Sequence, residues 1–203
     1  MAITIETVHV GPSCMNCYLA ENTERGELVV VDPGDDGGVI VDAIGERKPV
    51  AVLLTHGHYD HIGAVDDVCA HYQIPLYMHG ADVPKLTDSH QNVADQFGFA
   101  TVCHTTPRTV EDNEVLHLAG MAITVLHTPG HSAGSVCYLL PDNAGVLCGD
   151  TLFDGGYGRY DFPDGDFNAL KMSLRRLLYM HPRVKAYPGH GDTTFAGRDE
   201  KNA

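Results

Sequence analysis

Apolar and polar residues alternate over residues 3–10, Ile-Thr-Ile-Glu-Thr-Val-His-Val, which predicts a β-strand ended by Gly11-Pro12. A second strand is predicted over 16–21 and a third over 28–31, linked by the charged turn Glu24-Arg25-Gly26-Glu27. The third stops abruptly at Asp32-Pro33-Gly34-Asp35. From 38 to 47 the period lengthens, with Val39, Ile40, Ala43 and Ile44 on one helical face. Val50 to Leu54 is an apolar run too short for a helix and bounded by Pro49, so it reads as a buried strand. A helix then opens near Ile62-Gly63-Ala64, carrying Val65, Val68, Cys69 and Tyr72, before a short strand from Pro75 to Met78.

Residues 80–105, with Pro84 and Gly98, are weakly patterned and predict a helical excursion. Further strands are predicted over 114–118, 121–126, 135–140, 145–147 and 184–187. Between the last two lies a helix over 166–179, capped by Asp166 and carrying Arg175 and Arg176 toward its end. Strands alternating with helices indicate an α/β class with helices covering a sheet. No linker interrupts the pattern, so one domain over 1–203 is expected.

Charge narrows the choice of partner. With Lys and Arg at 13 against 27 Asp and Glu, the net charge of −14 repels phosphate backbones and anionic membranes. No basic run offsets this, so no nucleic-acid or membrane partner is expected. An anionic substrate would need a specific cation to hold it. The N-terminus shows no signal-peptide pattern, and six cysteines without a paired CxxC suit a reducing, cytoplasmic compartment. Cys14-Met15-Asn16-Cys17 invites a redox or zinc-knuckle reading, but Cys17 begins the alternating patch Cys17-Tyr18-Leu19-Ala20, which favours a strand and small buried thiols.

The chemistry concentrates in Thr55-His56-Gly57-His58-Tyr59-Asp60-His61, directly after the strand at 50–54. His56 and His58 stand two apart and lean to one side of an extended backbone. Asp60 and His61 are neighbours and are expected to diverge, so two nearby ions share the four better than one. Three more strand ends carry ligand-type residues in glycine turns: Pro129-Gly130-His131, Gly149-Asp150 and Pro188-Gly189-His190. Together they supply five His and two Asp, enough for two ions and an open position for water. His127 also ends a strand, but His131, beside Gly130, is the preferred ligand. Asp32 reads equally as a turn cap or as support for a ligand, and His9, His71 and His79 as structural or solvated.

In order, Thr-His56-x-His58-x-Asp60-His61, Pro-Gly-His131, Gly-Asp150 and Pro-Gly-His190 resemble the metallo-β-lactamase superfamily. The resemblance implies a four-layer αβ/βα sandwich with the site at one edge. It assigns His56, His58 and His131 to one metal, Asp60, His61 and His190 to a second, and Asp150 to both. Two zinc ions are implied, with iron or manganese possible. Asp150 stands where β-lactamases of this fold carry Cys or Ser, which disfavours antibiotic hydrolysis. The segment Gly158-Arg159-Tyr160-Asp161-Phe162-Pro163-Asp164-Gly165-Asp166 is similar to short bacterial type II glyoxalases and to persulfide dioxygenases. This implies hydrolysis of a small thiol conjugate such as S-lactoylglutathione through a metal-bound hydroxide, with Asp60 and Asp150 catalytic. Arg159 and Tyr157 are the expected substrate contacts, Arg159 having a pair with Asp161 as its structural alternative. A one-iron persulfide dioxygenase on His56, His131 and Asp150 is the second reading, and a lactonase the third. The C-terminal helical domain that longer glyoxalases use to hold glutathione is not expected, so the thiol carrier stays open, as does the oligomeric state.

Overall fold

The computed structural model describes residues 2–180 and 183–197. Strands β1 (Ile3–Val10), β2 (Met15–Asn22), β3 (Glu27–Val31), β4 (Lys48–Leu53), β5 (Leu76–His79) and β6 (Arg108–Val110) form one sheet in that order. Strands β7 (Val115–Leu118), β8 (Met121–His127), β9 (Val136–Leu139), β10 (Val146–Gly149), β11 (Val184–Pro188) and β12 (Thr194–Ala196) form the second in sequential order. The helices are α1 (Gly37–Ile44), α2 (Tyr59–Ile62), α3 (Val65–Tyr72) and α4 (Phe167–Leu178). The first sheet is antiparallel from β1 to β3 and parallel from β3 to β6.

Both faces of each sheet are covered, which explains the near-continuous apolar runs. In β3, Val29 and Val31 face Ile123, Val125, Val136 and Tyr138 of the opposite sheet. Leu28 and Val30, on the alternate face, pack with Ile40, Ile44, Val65 and Val68 of α1 and α3. On the far side, Leu177 of α4 joins Val146, Cys148 and Ala186. The layers therefore run helix, sheet, sheet, helix, as the sequence implied.

Several local expectations are corrected. Pro49 lies inside β4 rather than before it, opposite Leu28, where the register shifts and the missing N–H is tolerated. Residues 80–105 form two 3₁₀ turns, Gly80–Leu86 and Ala94–Phe97, within irregular chain. The Asn92 carboxamide ties this segment by donating to the carbonyls of Lys85 and Thr101. Asp166 caps α4 as expected, accepting from the amides of Asn168 and Ala169. The three-residue strands β6 and β12 had no legible pattern.

The two sheets are locked at the edge where ligand-type residues gather. Val136 donates its amide to Thr55 O at 2.8 Å, and the Tyr18 hydroxyl donates to Pro188 O at 2.6 Å. The turn after β3 packs so closely on α2 that a Cβ on Gly34 would lie 1.7 Å from Asp60 O. Gly34→Ala is therefore expected to cost about 3 kcal/mol, near the upper end for overpacking. In a chain of this size that lowers Tm by roughly 6–12 °C, which a thermal melt would register.

Candidate metal centre

Four strand ends deliver the side chains. Thr55 to His58 follow β4, Asp60 and His61 sit on α2, and His131, Asp150 and His190 follow β8, β10 and β11. Three overlapping groups result, each with ligand atoms within 4.8 Å of one another: His56–His58–His131, Asp60–His61–His190 and His56–His61–Asp150. His56 and His58 do lean together. Asp60 and His61, expected to diverge, both reach His190, because successive side chains on a helical turn separate by less than those on a strand.

His131 Nε2 stands 2.9 Å from His58 Nδ1 and 3.2 Å from His56 Nε2. Asp150 lies between the groups, its Oδ1 3.5 Å from His61 Nε2 and its Oδ2 3.6 Å from His131 Nε2 and 3.7 Å from His190 Nε2. Asp60 Oδ2 is 3.2 Å from His190 Nε2.

A surrounding layer orients the rings. His131 donates Nδ1–H to Arg159 O at 2.7 Å, which leaves Nε2 as a lone-pair donor. His61 donates Nδ1–H to Asp32 Oδ2 at 3.0 Å, and Asp32 also accepts from the Thr55 amide and hydroxyl. Of its two open roles, Asp32 thus supports a ligand. Asp82, fully buried, accepts from Gly57 N, Gly134 N and the Ser132 hydroxyl, and so ties the His58 loop to the His131 loop. The Lys85 ammonium, 2.7 Å from Asp164, anchors the 158–166 segment beside it. Sequence reading missed Asp82 and Lys85, which lie in the weakly patterned region; only an Asp-x-x-Lys spacing marks them.

The electrostatics suit a cation. Burial, reinforced by neighbouring imidazoles, pushes the pKa values of His56 and His58 well below the ordinary range, so both stay neutral. Burial opposes ionisation of Asp60, but the His190 hydrogen bond and the His61 charge outweigh it and pull its pKa to about 2. Asp150 is likewise pulled to about 2 against burial, chiefly by His61. Among the described residues, His58 Nε2, His61 Nε2 and Asp150 Oδ1 are buried without a hydrogen-bond partner. Buried polar atoms are seldom left so. Nitrogen and carboxylate donors in this state fit divalent ions.

A cavity of about 330 Å³ opens over the cluster, walled by Tyr59, Val93, Phe97, Phe153, Arg159 and Phe162. Among the described residues lining it, Arg159 is the single Lys or Arg, and Asp161 accepts from one edge of its guanidinium, Nε and Nη2, at 2.9 Å each. Tyr157 is not in this wall; its half-exposed ring leans on Phe167. The chain is pinned there because Gly158 lies against Asp150 O, where a Cβ would come within 1.9 Å. His127 stays outside the cluster, stacked on His79 with its Nε2 2.9 Å from Ala133 O.

Residues 15–190 match the family profile described as Metallo-beta-lactamase superfamily. The chain is 35% identical to a probable metallo-hydrolase, YqgX, of Bacillus subtilis, over 91% of this chain and 89% of that one. It is 30% identical to hydroxyacylglutathione hydrolase GloC of Haemophilus influenzae, over 98% and 96%. Among solved structures, BLEG-1 B3 metallo-beta-lactamase superposes with a TM-score of 0.89 at 33% identity, covering 95% of this chain and 94% of that one. TTHA1623 in a di-iron-bound form gives 0.84 at 38%, covering 93% of each. ETHE1 from Myxococcus xanthus gives 0.75 at 26%, covering 95% and 79%.

Proposed function

The chain belongs to the metallo-beta-lactamase superfamily as a metal-dependent hydrolase, and within it we propose that the bond cleaved is the thioester of a small thiol conjugate, for which S-lactoylglutathione serves as the assay probe. The observation that carries this reading is the meeting of two ligand groups at Asp150 beneath an apolar cavity. His56, His58 and His131 would hold one divalent ion and Asp60, His61 and His190 a second, with Asp150 shared. Zinc suits the donor set, and iron or manganese would also be accepted. Bound there, such ions lower the pKa of water toward about 7 and polarise a carbonyl oxygen.

The chain's own side chains do the rest. Asp60 and Asp150, ionised at neutral pH, accept hydrogen bonds from the attacking water and keep it aligned with the carbonyl. Phe97, Phe153 and Phe162 wall the cavity with apolar surface, and over a bound substrate they would limit its contact with bulk solvent, which strengthens each charge interaction inside. A cysteine nucleophile is not needed. Burial pushes up the thiol pKa values of Cys17, Cys69, Cys103, Cys137 and Cys148, leaving them protonated and unreactive.

The second reading, a one-iron persulfide dioxygenase, draws on His131 Nε2 lying near both His56 Nε2 and Asp150 Oδ2. Purified protein assayed for thiol release from S-lactoylglutathione, for O2 uptake with glutathione persulfide, and on a chromogenic cephalosporin separates the possibilities. Thioester turnover without O2 uptake supports the proposal. Stoichiometric O2 uptake with one iron per chain, or cephalosporin turnover alone, refutes it.

Removing the metal should cost both activity and stability. With metal at about 100 times its dissociation constant, binding contributes about 2.7 kcal/mol. Chelation is thus expected to abolish thioester turnover and lower Tm by roughly 5–11 °C, with recovery on adding zinc back.

A further inference from the structure

A second cavity, of about 320 Å³, adjoins the one over the metal cluster. Ser13, Tyr59 and Asp60 line both, so the two are lobes of one groove. The second lobe is walled by Val10, Pro12, Phe99, Ala100 and Val102 and holds none of the His ligands. An aromatic shelf joins the lobes. The Tyr59 ring stacks on Phe97, which faces the metal lobe, at 5.4 Å between centroids, and on Phe99, which faces the second lobe, at 5.2 Å. Phe97 and Phe99 remain 48% and 45% exposed, a large apolar surface to leave in water beside a reaction centre.

The charges along this groove run one way. Asp35 and Asp60 line the second lobe, and no described residue lining it is Lys or Arg. Among the described residues of the metal lobe only Arg159 is a Lys or Arg, and Asp161 holds one edge of its guanidinium. A glutathione arm carries two carboxylates and a net negative charge, and no described residue of the second lobe is a Lys or Arg that could pair with them.

We propose that the second lobe is the subsite for the substrate's non-reacting arm, and that this arm is uncharged and apolar or aromatic rather than glutathione. The arm leaves the thioester over the metal cluster, crosses the Phe97–Tyr59–Phe99 shelf and ends between Pro12 and Val102. This rests on the thioesterase reading for the reacting bond, whereas the lobe itself is tested by binding alone.

The test uses lactoyl thioesters of three thiols, namely glutathione, N-acetylcysteamine and 2-phenylethanethiol, with the metal-loaded enzyme. The two neutral thioesters are expected to show kcat/KM at least tenfold above the glutathione one. Ala100→Trp, which fills the second lobe from an exposed loop position, should raise KM for the phenylethyl thioester at least tenfold, the loss falling on KM rather than kcat. Phe99→Ala should shift it the same way and serves if the tryptophan variant does not fold. In parallel, calorimetry measures binding of the phenylethyl thioether in which a methylene replaces the thioester carbonyl. Thioether binding that Ala100→Trp abolishes supports the lobe even if no thioester is turned over, an outcome that would remove only the thioesterase reading. A glutathione thioester hydrolysed as well as the neutral ones would overturn the proposal. So would KM and thioether binding that both variants leave unchanged.

Discussion

Asp150→Ala is expected to lower kcat/KM for thioester hydrolysis on the order of 10³-fold while leaving the fold intact. The carboxylate lies between His61, His131 and His190, at 3.5 to 3.7 Å from a ring nitrogen of each. Removing it leaves each metal position one donor short and places three imidazoles together without their anion. Metal ions supply several kcal/mol of transition-state stabilisation, and each decade of rate is worth about 1.36 kcal/mol, which sets the scale of the loss. Because Asp150 contributes to no sheet ladder by its side chain, far-UV circular dichroism should match wild type. Metal content should fall together with rate. A variant that kept its full complement of metal and lost only rate would assign Asp150 to water alignment alone.

The second large effect is expected from Asp32→Ala, at a residue that touches no substrate. Asp32 is 2% exposed and receives three hydrogen bonds, from Thr55 N at 2.7 Å, Thr55 Oγ1 at 2.6 Å and His61 Nδ1 at 3.0 Å. Alanine would strand all three donors and remove the anion beside His61. Breaking such a buried charged contact costs about 3–5 kcal/mol. Loss of a carboxylate that orients a ligand imidazole typically weakens metal binding by about 10–100-fold. The variant should therefore melt at a markedly lower temperature and need more zinc for half-maximal activity. Asp32→Asn keeps one acceptor oxygen for Thr55 and should recover part of the stability without the metal affinity. Equal zinc titrations for wild type and Asp32→Ala would rule out the orienting role.

These two residues also mark what can and cannot be read from sequence. Asp150 was legible because a ligand-type side chain on a glycine turn after a strand has few packing explanations. The same holds for His131 and His190, and the spacing of His56 and His58 gave their common side. The role of Asp32 was not settled, because a strand-end Asp also suits a turn cap, and only the placement of Thr55 and His61 around it decides. Asp82 and Lys85 were invisible for a related reason. Their partners lie 25 to 79 residues away, so no local period records them. Pro49 misplaced the start of β4, since a proline at a register shift looks in sequence like a boundary. The edge strands β6 and β12 are three residues long, too short for alternation to register. The second lobe draws on chain near residues 10–13, 34–35, 59–63 and 99–102, which only the fold brings together.

The most direct test of the account is metal counting on the purified protein and on His190→Ala. His190 belongs to the Asp60–His61–His190 group alone, whereas His56, His58 and His131 form the other. About two divalent ions per chain in wild type, falling to about one in His190→Ala with loss of thioester turnover, is the result predicted. A single ion per chain in a fully active wild type, left unchanged by His190→Ala, would contradict it.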